Sequence, residues 1–222
     1  MNSTAGNTAR HLWAGLRALL VLTLVCGVLY PLAVTGAAQA LFPAKANGSE
    51  ITADGKVVGS ALIGQRYDLP LKDGQETPAP DLTWFQPRPS NGLGTNSVNT
   101  QYALILSGAT NRSGDNKELI DWVTTAKAAV IKDNSVPGHP IDPDDVPADA
   151  VTSSGSGLDP DISPAYAELQ TRRVAEKNHL DVNQVQKLVK EHTTGRVLGF
   201  MGEPRVNVLQ LNIALRDLVK GA

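Results

Sequence analysis

Residues 18–44 read ALLVLTLVCGVLYPLAVTGAAQALFPA and contain no charged side chain. A helix rises about 1.5 Å per residue, so roughly 20 apolar residues cross a hydrocarbon core of about 30 Å. The stretch is long enough to do this, and it predicts one transmembrane helix over residues 18–40. Pro31 lacks a backbone donor and crowds the preceding turn, so we expect a kink or a helix end near Tyr30.

Charges beside the apolar stretch predict which way the helix points. Arg10 and Arg17 precede it, and no acidic residue occurs before Glu50. Because short cationic flanks stay in the cytoplasm, we expect a cytoplasmic tail at 1–17 and an extracytoplasmic domain at 45–222.

Two other interpretations of the stretch stay open. A signal peptide would be cleaved after Ala40, since Ala38-Gln39-Ala40 fits a small-x-small site, but the apolar core exceeds the roughly 7 to 15 residues of a signal peptide. A lipoprotein would be acylated at Cys26, but the apolar run before that cysteine is short and bulky Val25 precedes it. The retained anchor is the interpretation on which the rest depends.

Length and charge limit the number of domains and the kinds of partner that the part of the chain after the apolar stretch can have. Residues 45–222 are enough for one domain with its own core or for two small ones, and we expect one compact domain. Without Arg10 and Arg17, the 20 Lys and Arg residues fall to 18 against 22 Asp and Glu residues, which argues against nucleic acid as a partner. Cys26 is the only cysteine, so the domain has no disulfide. The predicted fold class is α+β: a single N-terminal transmembrane helix followed by one soluble mixed α/β domain.

Hydrophobic patterning predicts a hairpin and part of the core. Residues 51–58 form two strand pieces around an Asp54-Gly55 turn, and 61–64 continue the second strand. Trp84-Phe85 is expected in the core. Arg88, which stands between two prolines, is the more exposed candidate for recognition.

Helices are predicted in the second half of the chain. A short helix begins at 102–106, and apolar residues at three- and four-residue steps indicate an amphipathic helix over 116–132. Further helices follow Ser163-Pro164, Asp181 and Asn207, which are the expected capping positions.

The stretch 146–164 is the densest in glycines and small hydroxyl residues, which leave backbone amides accessible. A loop of this kind that leads into a helix binds an anion or packs closely on a neighbouring chain. The acidic stretch 134–147 lacks the glycine and the terminal glutamate of a calcium loop, so we interpret it as a solvated linker. The candidate interface or anion-binding residues are Ser154, Gly155, Ser156, Gly157, Asp159 and Ser163.

Motifs of the common enzyme classes are absent from the sequence. It contains no phosphate-binding P-loop, no G-x-S-x-G elbow, no H-E-x-x-H helix and no cysteine pair, so no metal site is predicted. A hydrolase that uses Ser154 or Ser156, Asp159 and a distant histidine stays open, because catalytic triads assemble in space. A free-standing, membrane-anchored hydrolase or binding protein is therefore the alternative to an accessory chain.

Four motifs follow one another along the chain: Arg88-Pro89-Ser90, residues 107–116, residues 146–164, and Gly202-Glu203-Pro204-Arg205-Val206-Asn207-Val208-Leu209 with Leu211-Asn212. Together with one N-terminal helix, they resemble the C subunit of the bacterial Kdp-type potassium-transporting P-type ATPase, the KdpC family. Two departures occur, since Ser107-Gly108-Ala109-Thr110-Asn111 replaces the usual Ser-Gly-Gly-Ser-Asn and Asp161 stands where histidine is common. The remaining motif positions are Arg88, Ser90, Ser107, Gly108, Asn111, Gly202, Pro204, Arg205, Asn207 and Asn212.

The resemblance implies a non-catalytic accessory subunit of a high-affinity, ATP-driven potassium uptake complex in the bacterial inner (plasma) membrane. Its partners would be a channel-like potassium-translocating subunit, an ATP-hydrolysing P-type subunit and membrane lipid. The family is described as a catalytic chaperone that raises the ATP affinity of the hydrolysing subunit. No cofactor is expected on this chain itself, since the complex handles ATP and potassium, and the chain lacks the Asp-Lys-Thr-Gly phosphorylation sequence.

The predicted orientation and the family role point to opposite sides of the membrane. The flanking charges place 154–164 outside, whereas ATP is cytoplasmic. We therefore expect an indirect effect, in which the outer domain docks on the potassium-translocating subunit and shifts the state of the complex. Thr23, Gly27 and Thr35 offer small or hydroxyl surfaces at which a partner helix could pack on the anchor.

Overall fold

The computed structural model of the chain describes residues 3–73, 75, 78–90, 107–108 and 111–221. Its contacts divide the chain into two compact units, Met1–Ser49 and Glu50–Ala222. The first holds an apolar helix and the second holds helices with small sheets, so the predicted α+β class is confirmed. The short helix predicted at 102–106 lies outside the described residues.

The first unit is one long helix interrupted by a π-helical turn. Helix α1 (Ser3–Leu24) passes through the π turn Val25–Leu29 into α2 (Tyr30–Leu41). The stretch Gly6–Leu41 is long and apolar enough to cross a membrane, and none of its most apolar window is buried inside the chain. These features fit a single-pass membrane protein.

Pro31 explains the irregular turn. A proline has no N–H, and in a regular α-helix its ring clashes with the carbonyl four residues earlier, here that of Gly27. A π turn directly before the proline is one of the irregularities found where helices accommodate such a residue. The predicted disturbance near Tyr30 is therefore present, but the helix continues to Leu41 and a short helix α3 (Pro43–Ala46) follows.

The second unit begins with an antiparallel hairpin of β1 (Glu50–Ala53) and β2 (Lys56–Ser60). Asp54 and Gly55 join the strands with φ values of 51° and 75°, the left-handed geometry of a tight two-residue turn. The hairpin prediction is confirmed.

The predicted extension of β2 through 61–64 is wrong. Residues 61–63 form a turn and a bend, in which the Ser60 hydroxyl accepts the Leu62 N–H at 3.0 Å. The Gly64 N–H donates to the Leu158 carbonyl at 2.9 Å instead of to β1. The chain therefore leaves the hairpin and turns toward the later loop.

A second sheet has three very short antiparallel strands in the order β3-β5-β4. The sequence patterns do not reveal them, because two or three residues carry no measurable alternation. The strands are β3 (Asp161–Ile162), β4 (Thr193–Thr194) and β5 (Arg205–Asn207).

The predicted helix caps are confirmed. Ser163 and Asn207 each accept a backbone N–H three residues later, at 3.0 and 3.1 Å, and Asp181 forms a full capping box with Gln184. Asn116 caps a further helix in the same way, at 3.0 Å, although it is not among the predicted caps. The helices of this unit are α4 (Lys117–Asn134), α5 (Ala148–Val151), α6 (Pro164–Asn178), α7 (Val182–Glu191) and α8 (Val208–Gly221), with a 3-10 turn at Pro143–Asp145.

The core of the second unit forms where α7 packs on α6 and α8, and where α4 packs on α6. Phe85 is fully buried there, as predicted, and Trp84 packs partly buried against the same cluster. The fully buried apolar side chains of the helices are Ala167, Val174, Ala175, Val185, Leu211 and Leu215.

Candidate functional site

The candidate site is the serine-glycine loop, defined as residues 152–163, which connects α5 to α6 through β3. Asp149 on α5, just before the loop, bonds to Ser163 at the end of the loop. The Ser163 N–H donates to Asp149 Oδ2 at 2.7 Å, and the Ser163 hydroxyl donates to Oδ1 at 2.9 Å. Hydrogen bonds to a carboxylate are stronger than neutral ones, so the loop starts and ends at a fixed separation.

Hydroxyls inside the loop accept its own amide hydrogens. Ser156 Oγ accepts the Leu158 N–H at 3.1 Å, and Ser154 Oγ accepts the Asp159 N–H at 3.4 Å. The Gly157 N–H donates to the Ser154 carbonyl at 3.1 Å. An anion at this loop would have to displace these bonds to reach the same hydrogens.

Two other motif segments contact the loop at Gly157. The Ser90 hydroxyl donates to the Gly157 carbonyl. The Gly108 N–H and the Ser107 hydroxyl both donate to the Ser156 carbonyl, at 2.9 and 3.2 Å. Gly157 has a φ of 69°, and a Cβ there would lie 3.1 Å from the Gly108 carbonyl oxygen. Only glycine fits this conformation and this close approach without strain.

Arg88 is held by the loop, and it is more exposed than the fully buried Phe85 but less open to solvent than the sequence suggests. Its Nη1 pairs with Asp159 Oδ2 at 3.1 Å, and Nη2 and Nε donate to the carbonyls of Ser153 and Thr152 at 3.3 and 3.4 Å. Only 23% of the side chain is exposed. The flanking prolines direct the guanidinium onto a carboxylate and two carbonyls of its own chain, which saturates most of its donors.

The C-terminal motif meets the loop at Asp161. Arg205 Nε pairs with Asp161 Oδ2 at 3.0 Å, and Asn207 Nδ2 donates to Oδ1 at 3.1 Å and to the Ala61 carbonyl at 3.0 Å. Burial raises the pKa of Asp161 above its ordinary value, and the nearby charge of Asp159 adds to this, while Asn207 and Arg205 oppose it. The pair Asp161–Arg205 thus links the β3 part of the loop to β5.

The segment 82–86 precedes Arg88. Side-chain amides bond to its backbone in the way that a neighbouring strand would. Asn212 on α8 accepts the Phe85 N–H and donates to the Phe85 carbonyl, both at 2.9 Å. Gln170 on α6 accepts the Gln86 N–H at 2.7 Å and donates to the Gln86 carbonyl at 3.1 Å. Buried backbone groups need partners, and here two amide side chains reproduce the pairing that a strand supplies.

Arg173 completes this support from inside the core, where it is 1% exposed. Its Nε donates to Asn134 Oδ1 at 2.9 Å, Nη2 donates to Gln170 Oε1 at 2.7 Å, and Nη1 donates to the carbonyls of Trp84, at 2.9 Å, and Leu82. No carboxylate of the described residues forms an ion pair with it. Burial lowers the pKa of Arg173 to about 10, and neutral dipoles hold the charge.

The sequence analysis missed the buried and partly buried polar side chains that position the site. Gln170 and Arg173 lie three residues apart on the same face of α6 as the apolar Ala167 and Val174. A polar pair within an apolar helical stripe was the available signal. The missed set is Asn134, Gln170, Arg173 and Asn178, of which Asn178 Nδ2 donates to the Thr83 carbonyl at 2.7 Å.

The remaining predicted residues lie apart from the serine-glycine loop or open to solvent. Asn111 and Gly202 are exposed, and both have a positive φ, of 49° and 78°. Pro204 is half-buried beside Gly202. Gly155 is exposed, and a Cβ there would meet nothing within 4 Å.

The loop does not assemble a hydrolytic constellation within the described residues. The hydroxyls of Ser154 and Ser156 lie 3.3 Å apart and accept loop amides, and neither contacts a histidine of that part of the chain. The same described residues contain no group of three or more His, Cys, Asp or Glu side chains that could hold a metal. The serine-glycine loop is therefore better described as a surface shaped by its own hydrogen bonds than as a set of reacting groups.

Two cavities border this surface and share Pro89, Ser90, Ala126 and Ala129 in their walls. One, of 450 Å³, has a polar wall that includes Arg66, Asp68, Arg88 and Arg173. The other, of 620 Å³, is lined mainly by apolar side chains of α4 and by the start of the serine-glycine loop.

Comparison with known proteins identifies the family. Residues 12–217 match the family model described as "KdpC: K+-transporting ATPase, c chain". A relative from Streptomyces avermitilis, named "Potassium-transporting ATPase KdpC subunit", is 76% identical over 219 residues, which cover 99% of each chain. Relatives of the same name from Gemmatimonas aurantiaca and Mycobacterium tuberculosis are 46% and 42% identical over 209 residues, covering 94% of this chain and 94% and 99% of theirs. The chain belongs to the KdpC family, the c chain of K+-transporting ATPases.

Proposed function

We propose that this chain is a non-catalytic accessory subunit of a high-affinity, ATP-driven potassium uptake complex and that its serine-glycine loop is a docking surface for another subunit. The family and the names of the relatives support membership of such a complex. The partners are a potassium-translocating subunit and an ATP-hydrolysing P-type subunit. The chain stabilises their assembly and raises the ATP affinity of the hydrolysing subunit from a distance.

One observation supports the docking role: hydrogen bonds within the chain hold the loop at several points. The amides of Leu158 and Asp159 bond to serines of the loop, Arg88 is paired with Asp159, and Gly157 lies against Gly108 and Ser90. A nucleotide site keeps donors available for phosphate, whereas a protein interface gains affinity from a surface that is ordered before binding. The arrangement therefore favours recognition by shape.

Two glycines of the loop provide a matched test. Gly157→Ala forces a Cβ to 3.1 Å from the Gly108 carbonyl at a φ of 69°, whereas Gly155→Ala meets open space. In cells that depend on this transporter, we expect Gly157→Ala to slow potassium uptake and reduce co-purification of the partner subunits in mild detergent. Gly155→Ala should leave both unchanged. Full uptake and full co-purification by Gly157→Ala would contradict the docking role, and a wild-type chain that purifies alone would favour the free-standing hydrolase or binding protein.

The proposed orientation has the N-terminus in the cytoplasm of a bacterial inner membrane and the domain after Ser49 outside. It rests on Arg10 and Arg17 before the apolar stretch. ATP affinity is then raised indirectly, by a bias on the state of the complex. A protease added to spheroplasts should digest the domain, and a photoreactive ATP analogue should not label residues 154–157 in the intact complex. Labelling there, or a protected domain, would support direct nucleotide contact.

A further inference from the structure

The π turn Val25–Leu29 leaves a backbone acceptor without a helical donor. The Tyr30 N–H donates to the Val25 carbonyl, five residues earlier, so it does not serve the Cys26 carbonyl in the α-helical pattern. The residue five positions after Cys26 is Pro31, which has no N–H. The Cys26 carbonyl thus lacks both its α-helical and its π-helical donor. The Gly27 carbonyl also lacks its α-helical donor, because that donor would be the N–H of residue 31.

This acceptor lies within the apolar stretch Gly6–Leu41. A carbonyl without a partner in hydrocarbon is costly, because lipid tails offer no hydrogen-bond donor. Broken helices are found at membrane depth where a neighbouring helix, a side chain or water supplies the missing bond. Within the described part of the first unit, no side chain donates to the Cys26 carbonyl, which leaves a neighbouring helix or a water molecule to supply the bond.

The helix surface beside this carbonyl is open enough for another helix to approach. All residues of the π turn are exposed. A Cβ on Gly27 would meet only the Thr23 methyl group, at 3.9 Å. Small residues let helix backbones come close in membranes, and hydrogen bonds across such contacts contribute to association. The site therefore combines an unpaired acceptor with a surface that lacks a side chain.

We infer that the π turn is a docking site for a transmembrane helix of a partner subunit, which presents a hydroxyl or amide donor to the carbonyls of Cys26 and Gly27. The inference rests on the proposed function, which supplies the partner subunits. It adds a contact within the membrane to the docking of the outer domain. The partner's chemistry is defined by the acceptor: a Ser, Thr, Asn or Gln side chain at the depth of the turn.

Two proline variants test the acceptor in the full complex. Pro31→Ala restores an N–H, which can satisfy the Gly27 or Cys26 carbonyl within the helix and removes the need for a partner's donor. We expect it to weaken retention of the partner subunits about three- to tenfold in a detergent titration, the range of one hydrogen bond between membrane helices. Pro43→Ala is the control, because Pro43 starts the separate short helix α3. Gly27→Leu should likewise weaken retention, and Gly36→Leu, outside the π turn, should not.

A photoreactive residue at position 28 tests the partner's identity. We expect a cross-link to a transmembrane segment of a partner subunit, with a Ser, Thr, Asn or Gln side chain within one turn of the attachment point. Cross-links only to lipid or to a second copy of this chain, or full retention by Pro31→Ala, would overturn the inference while leaving the proposed function intact. A wild-type chain that retains no partner subunit would instead overturn the proposed function.

Discussion

Replacing Arg173 with methionine should destabilise the domain strongly, although the substitution removes a buried charge. Methionine fills a similar elongated volume, but it donates no hydrogen bonds. The change leaves the carbonyls of Leu82 and Trp84 and the Asn134 side-chain oxygen without their donors. All three acceptors lie in or beside the segment 82–86, which positions Arg88.

The magnitude follows from this count of orphaned groups. Each buried acceptor that loses its donor lowers the free energy of unfolding by about 1 to 3 kcal/mol. Part of this loss is offset, because the substitution also removes the desolvation cost of burying the guanidinium. We therefore expect the free energy of unfolding to fall by about 3 to 5 kcal/mol. For a domain of this size, that corresponds to a melting temperature about 6 to 20 °C lower. Arg173→Lys should recover only part of it, because an ammonium cannot reach four acceptors in a planar fork.

Thermal unfolding of the full chain in detergent micelles, followed by far-ultraviolet circular dichroism, measures the effect. The adjacent Arg172 provides the control, since it is exposed and its polar contact within the described residues is the His139 ring, at 3.5 Å. Arg172→Met should shift stability by no more than about 0.5 kcal/mol. If Arg173→Met unfolds at the same temperature as Arg172→Met, the side-chain support of 82–86 does not matter for stability.

Three further substitutions test other contacts. Asn212→Leu strips both partners from the buried Phe85 backbone and should cost about 2 to 4 kcal/mol, with faster hydrogen exchange at the Phe85 amide as the readout. Burial raises the pKa of Asp161 above its ordinary value of 3.8. The stability that the Asp161 side chain contributes is therefore full below pH 3.8, and it is lost as the pH rises through the pKa that Asp161 has in the folded protein. The stability of wild type relative to Asp161→Asn should therefore be greater at pH 4 than at pH 7, and an equal difference at both would refute the shift. Asp54→Asn breaks exposed ion pairs with Arg216 and Lys220 but keeps the turn, so its unfolding free energy should change by less than about 1 kcal/mol at any salt concentration.

Local signals in the sequence predict the helices well. Ser163-Pro164 and Asp181 start α6 and α7 as expected, because capping is decided by a few neighbouring residues. The Asp54-Gly55 hairpin follows from the same kind of local preference. The extension of β2 through 61–64 fails, since Gly64 bonds to a residue far along the chain.

Contacts over long sequence distances decide the rest of the site. The motif segments at Ser90, Gly108 and Gly157 are recognisable one by one, but no local rule states that they meet. Arg88 looks exposed in the sequence because its partner Asp159 is 71 residues away. Arg173 looks like a surface residue because charged side chains seldom enter a core without a carboxylate.

The bonds between Phe85 and Asn212 join residues 127 positions apart, and Asn212 lies in α8. During synthesis, the backbone groups of Phe85 therefore stay without this partner until the following 127 residues have been made. The turn that carries Arg88 acquires its final support at the same late moment. A product that stops before Asn212 lacks both bonds, so the backbone of Phe85 and the turn that follows it stay without this support.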